Sequence, residues 1–202
     1  MSEHPRQESP DLLPRHRIGS ARAVIEGMKS ENLGGLVSMA GSCVFFFGGD
    51  VSGAVVSVSF IAAELTLARW GHRRAGYSIG CALFSFGDVV AVISKVAYAN
   101  RAFQATLLAM AAIWAIGALR APAAWLGQTL ARPWLVACAD AIQPLAGTML
   151  LILRIPGIAA AFIGANYLGV AALSCWAVSD VLVGRLQNSI STLRRAVHSL
   201  LA

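Results

Sequence analysis

The sequence predicts an all-α polytopic membrane protein, a six-transmembrane-helix bundle with both termini cytoplasmic and a C-terminal amphipathic helix on the membrane surface. Three observations carry this expectation. First, 57% of the 202 residues are hydrophobic and only 13% are charged, about half the charged share of a soluble domain. Mean hydropathy is +0.66, and so little charge cannot coat a water-facing surface. Second, from Leu33 to Gly184 long apolar runs are separated by short basic clusters. Third, the 16 basic residues are distributed asymmetrically about those runs.

A bilayer core of ~30 Å needs about 20 apolar residues as helix. The runs at 33–48, 52–68, 75–94, 102–119, 134–153 and 156–184 fit six spans inside a membrane domain of 32–184. The first two are short and are separated only around Gly49-Asp50, so one kinked helix over 36–67 is the rival five-span reading. Cytoplasmic loops collect Lys and Arg. Six spans place Arg6, Arg15, Arg17, Arg22, Lys29, Arg69, Arg73, Arg74, Arg120, Arg132, Arg185, Arg194 and Arg195 inside, and only Lys95, Arg101 and Arg154 outside. Five spans divide the same residues evenly, which favours six.

The remaining segments follow from local composition. Residues 1–31 are polar, with Pro5, Pro10 and Pro14 marking a disordered tail and Ser20 able to cap a short helix over 20–30. The loop Arg120–Pro133 contains Trp125 and ends at Trp134, which predicts a re-entrant or interfacial helix over 121–130. In 185–202, Leu186, Ile190, Leu193, Val197 and Leu200 form one apolar stripe flanked by Arg and His, the pattern of a helix lying on an anionic leaflet. Abundant Ala and Arg, with Lys29 and Lys95 the two lysines, point to a GC-rich bacterial genome and hence to a bacterial inner membrane.

Acidic residues within spans are costly and mark function by default. Asp50 falls in a turn, Glu64 is within reach of Arg69, and Asp180 is within reach of Arg185. Asp88 lies deeper. Ser78, Cys81, Ser85 and Asp88 share one face of the third helix, with Lys95 further along it. That face is expected to point into the bundle. In the fifth segment Asp140, Gln143 and Gly147 share a face, and Pro144 is expected to break the helix beside them. With Asn166 of the sixth segment, these residues define an expected polar cavity, giving Asp88, Ser85, Ser78, Lys95, Asp140, Gln143 and Asn166 as the substrate or ion pathway. The segments CVFFFGGD (43–50) and CALFSFGD (81–88) form a faint internal echo, the kind of signal that repeat-built transporters leave.

Several classes are excluded. Basic residues sit at the ends of apolar runs rather than on one amphipathic face, which excludes nucleic acid as a partner. Cys43, Cys81, Cys138 and Cys175 form no CxxC pair and have no His at ligand spacing, so neither metal nor cofactor is expected. No hydrolase, metalloprotease or nucleotide-binding motif occurs, and no catalytic residue is assigned. An intramembrane aspartyl enzyme would require Asp88 and Asp140 to converge. The primary expectation is a small permease or ion-coupled transporter centred on Asp88. The alternative is a non-catalytic scaffold or assembly subunit of a membrane complex. The expected partners are the lipid bilayer and either further copies of the chain or a larger membrane assembly.

Overall fold

Three of the described helices start where a polar side chain takes up a free backbone N–H. In the computed structural model, which describes residues 32–94 and 100–184, Asp50 accepts from Gly53 N at 2.7 Å, Asn100 from Phe103 N at 3.1 Å, and Asn166 from Gly169 N at 2.9 Å. Each bond caps the start of an apolar helix. Seven helices result: α1 (Asn32–Gly48), α2 (Val51–Trp70), α3 (Arg74–Ile93), α4 (Arg101–Ala118), α5 (Arg120–Thr129), α6 (Pro133–Ile163) and α7 (Tyr167–Leu182). No strand occurs among the described residues. The N-terminal segment 1–31, Lys95 and the amphipathic helix expected over 185–202 lie outside them.

Four helical stretches are long and apolar enough to cross a membrane: α2, α3, α4 with α5, and α6. Helices α1 and α7 are equally apolar in character but shorter. The junction between α1 and α2 is a turn rather than a kink. The last five residues of α1, Val44–Gly48, tighten into a 3-10 turn, and Gly49 takes φ +73°, a left-handed conformation that glycine adopts without Cβ strain. Asp50 is then extended, and the Phe45 and Phe60 rings meet at 5.9 Å as α2 folds back along α1. A continuous helix over 36–67 is thereby excluded.

The later boundary differs from the sequence expectation. The run expected to end at 153 and restart at 156 is a single helix, α6, which passes through both Pro144 and Pro156. Each proline removes one backbone donor. The helix survives because its remaining bonds hold, and Thr148 Oγ1 supplements them by donating to Pro144 O at 2.9 Å. The chain reverses only at Gly164-Ala165-Asn166, where Ala165 takes φ +53°. The helix break expected at Pro144 is therefore absent, and Arg154, expected in a loop, lies within α6.

The helices close into a ring. Contacts run from α1 to α2, α3, α4, α6 and α7, and α7 returns to α1, while α5 packs across α6 and α3. With little water to expel, such contacts rest on close van der Waals packing. On α1, Gly34, Gly41 and Gly48 recur every seven residues and face Val183, Cys175 and Leu168 of the α7 side respectively. A Cβ on Gly41 would lie 2.9 Å from Cys175 Cβ, so this seam depends on the missing side chain. Gly76 and Gly80 of α3 lie against Trp70 and Leu67 of α2. Inside the ring Phe84 stacks on Trp114 at 4.5 Å, and Phe60 meets Trp176 edge-on at 5.1 Å. Such pairs contribute about 0.5–1.5 kcal/mol each beyond the area they bury.

Candidate functional site

Asp88 reaches the interior because the face it shares with Ser78, Cys81 and Ser85 is the buried face of α3. Ser78, Cys81 and Asp88 are all buried, and Ser85 is partly so. Asp88 is 1% exposed, and its Oδ2 has no hydrogen-bond partner among the described residues. It borders a small cavity whose space for a water centre is about 20 Å³, shared with Glu64 of α2, Phe84, Trp114 of α4, Arg154 of α6 and Trp176 of α7. That volume accommodates one water molecule. Aromatic side chains thus form much of the wall, and three ionisable groups from three helices interrupt it.

The other ionisable groups at this site have named partners. Arg154 Nη1 donates to Trp176 O at 2.6 Å and pairs with the Asp180 carboxylate, with both side chains under a tenth exposed. Glu64 Oε1 accepts from Ser38 Oγ of α1. Behind that bond, Ser42 Oγ donates to Ser38 O at 3.2 Å and accepts from Trp176 Nε1 at 3.4 Å. Polar links therefore join α1, α2, α6 and α7 around the carboxylate that α3 contributes.

Position along the helices gives the site a direction. Arg74, Arg120 and the start of α6 mark a basic end of the bundle. Glu64 lies six residues from that end of α2, about 9 Å at ~1.5 Å per residue. Asp88 lies five residues from the far end of α3, about 8 Å. Both side chains border the cavity.

Among the described residues expected to form the pathway, Asp88 alone borders this cavity. Ser78 Oγ accepts from Ala121 N at 2.9 Å and so caps α5. Ser85 Oγ donates to Ala111 O at 2.9 Å, tying α3 to α4. Asn166 is the cap of α7. Asp140 is at the basic end, where Arg74 holds it through bonds of 3.0 and 2.8 Å and Arg120 approaches at 3.5 Å. Because Arg74 opens α3, Asp140 and Asp88 are separated by about 21 Å of helix. The shared cavity and the pair of converging aspartates are therefore not formed. Gln143 is exposed, one turn beyond Asp140. The echoed segments also diverge, since Asp50 caps a helix at a turn while Asp88 is interior to one.

Sequence reasoning missed Glu64, Arg154 and Asp180 as members of the site. Each had a nearer apparent role: Glu64 with Arg69, Arg154 in a loop, Asp180 with Arg185. Arg185 lies outside the described residues, and Asp180 pairs with Arg154. The available signal was complementarity, because Arg154 and Asp180 are the isolated opposite charges in consecutive apolar runs.

No group of three His, Cys, Asp or Glu residues among those described is arranged to hold a metal ion. The described cysteines are all free thiols. No known protein family, characterised protein or solved structure matches the chain.

Proposed function

We propose that this protein is a small ion-coupled permease of the bacterial inner membrane, with six spans, both termini cytoplasmic, and Asp88 as the group that accepts the coupling ion. The observation that carries this reading is the Asp88 carboxylate itself. One of its oxygens is buried, without a hydrogen-bond partner among the described residues, against a cavity that can hold a water. An unpaired carboxylate in a low-dielectric interior costs several kcal/mol, and a purely structural residue would not sustain that cost. An ion-accepting group must do so in at least one state of its cycle.

The six-span assignment draws on the turn at Gly49-Asp50 and on the ring closed by α1 and α7. Of the short apolar helices, α1 packs against α2 and α7 against α6, and Arg74 and Arg120 meet Asp140 at one end. With Arg154 inside α6, one cation leaves the opposite side of the count, which strengthens the asymmetry.

The test is reconstitution into liposomes with a panel of small solutes under imposed proton and sodium gradients. Wild-type protein should accumulate at least one solute in a gradient-dependent way, and Asp88→Asn should abolish it. A wild-type protein that moves nothing under either gradient overturns the reading. The scaffold alternative draws on the exposed α6 face, where Gln143 and Gly147 have open space around them. Mild-detergent purification that returns a defined heteromeric complex would favour it.

A further inference from the structure

Resting on that reading of Asp88 as the ion-accepting group, we infer that the coupling ion is a proton, exchanged between Asp88 and a water in the cavity that Asp88 and Glu64 both border.

The cavity chemistry selects among ions. A metal cation released from water must be given several oxygen ligands. Here the wall is Leu67, Phe84, Met110, Trp114 and Trp176 besides its ionisable members, and the guanidinium of Arg154 repels a metal cation. A proton needs one carboxylate oxygen, and Asp88 Oδ2 is such an oxygen, buried and without a hydrogen-bond partner among the described residues. The space is one water in size, too small for a hydrated metal ion.

The charged and titratable groups around Asp88 come from three other elements. Glu64 faces it from α2 and Arg154 from α6, while Asp180 of α7 stands behind Arg154. α4 contributes Met110 and Trp114, which do not titrate. The protonated Asp88 oxygen gives its proton to the cavity water, which leaves as hydronium. Asp88 is then ionised, with Arg154 beside the same cavity to stabilise it. The reverse transfer restores the acid. Glu64, which accepts from Ser38, adds a second titratable carboxyl to the cavity wall.

Infrared difference spectroscopy of the purified protein in lipid nanodiscs tests this. The wild type should show a protonated-carboxyl band at neutral pH that shifts in heavy water, disappears in Asp88→Asn, and ignores added sodium or potassium. Glu64→Gln should move the pH at which the band is lost. Asp88→Glu should shift the band rather than remove it, which keeps the test decisive if Asp88→Asn does not fold. A band bleached by sodium at constant pH overturns the proton while leaving an ion-coupled site. Absence of any Asp88 band together with absence of any response to sodium or potassium overturns both the proton and the permease reading.

Discussion

Replacing Arg154 with methionine keeps most of the side-chain volume and removes one guanidinium from the bundle interior. Two losses follow. The bond to Trp176 O at 2.6 Å disappears, and the Asp180 carboxylate, buried with its partner, loses its counter-charge. Breaking a buried ion pair from one side costs about 3–5 kcal/mol, a large part of a total stability of roughly 5–15 kcal/mol. Removing both charges together, as Arg154→Met with Asp180→Leu, leaves neither member of the pair without its counter-charge. That double variant should return to within about 1 kcal/mol of wild type, because apolar replacements of buried pairs are often neutral. Equilibrium unfolding in mixed detergent micelles, followed by tryptophan fluorescence, reads this directly, since Trp114 and Trp176 lie in the core. A single-variant cost below about 1 kcal/mol contradicts the energetic role given to the pair. So does a double variant no more stable than the worse single one.

Further outcomes follow from the same geometry. Gly41→Leu should destabilise by about 1–3 kcal/mol, because its side chain would enter the α1–α7 seam. Gly147→Ala, with open space around it, should instead be neutral or stabilising by up to ~1 kcal/mol in the same unfolding assay. Asp140→Asn weakens a solvent-exposed pair with Arg74, so the unfolding transition should stay close to that of the wild type, and solute uptake in liposomes should persist. Cys138 is exposed and Cys81 buried. A membrane-impermeant maleimide should therefore label Cys138 from the cytoplasmic side and spare Cys81; labelling from the periplasmic side would reverse the assigned orientation.

Much of the fold is legible because helices in apolar sequence are bounded by local signals. Asp50, Asn100 and Asn166 each precede an apolar run and each caps the helix that follows. The α1–α2 turn was legible at Gly49-Asp50 for the same reason. Arg154-Ile155-Pro156 misled because an arginine and a proline together imitate a loop. Their real setting depends on Asp180, 26 residues away in sequence, and no local pattern reports such a pairing. The candidate site divides along the same line. Periodicity alone exposed the inward face of Ser78, Cys81, Ser85 and Asp88. It could not show that Ser78 is consumed in capping α5 and Ser85 in tying α3 to α4, because both partners come from other helices. Asp140 was misassigned because its exposure depends on how α3 and α6 meet at the basic end.

Proton flux through Asp88 is the most direct test. Liposomes containing the purified protein and a trapped pH-sensitive dye are given an inward-negative potassium diffusion potential, and internal pH is followed. Wild-type protein should acidify the interior faster than empty liposomes, and Asp88→Asn should fall to the empty-liposome rate while Asp140→Asn does not. Equal acidification by wild type and Asp88→Asn would contradict the assignment of Asp88 as the ion-accepting group.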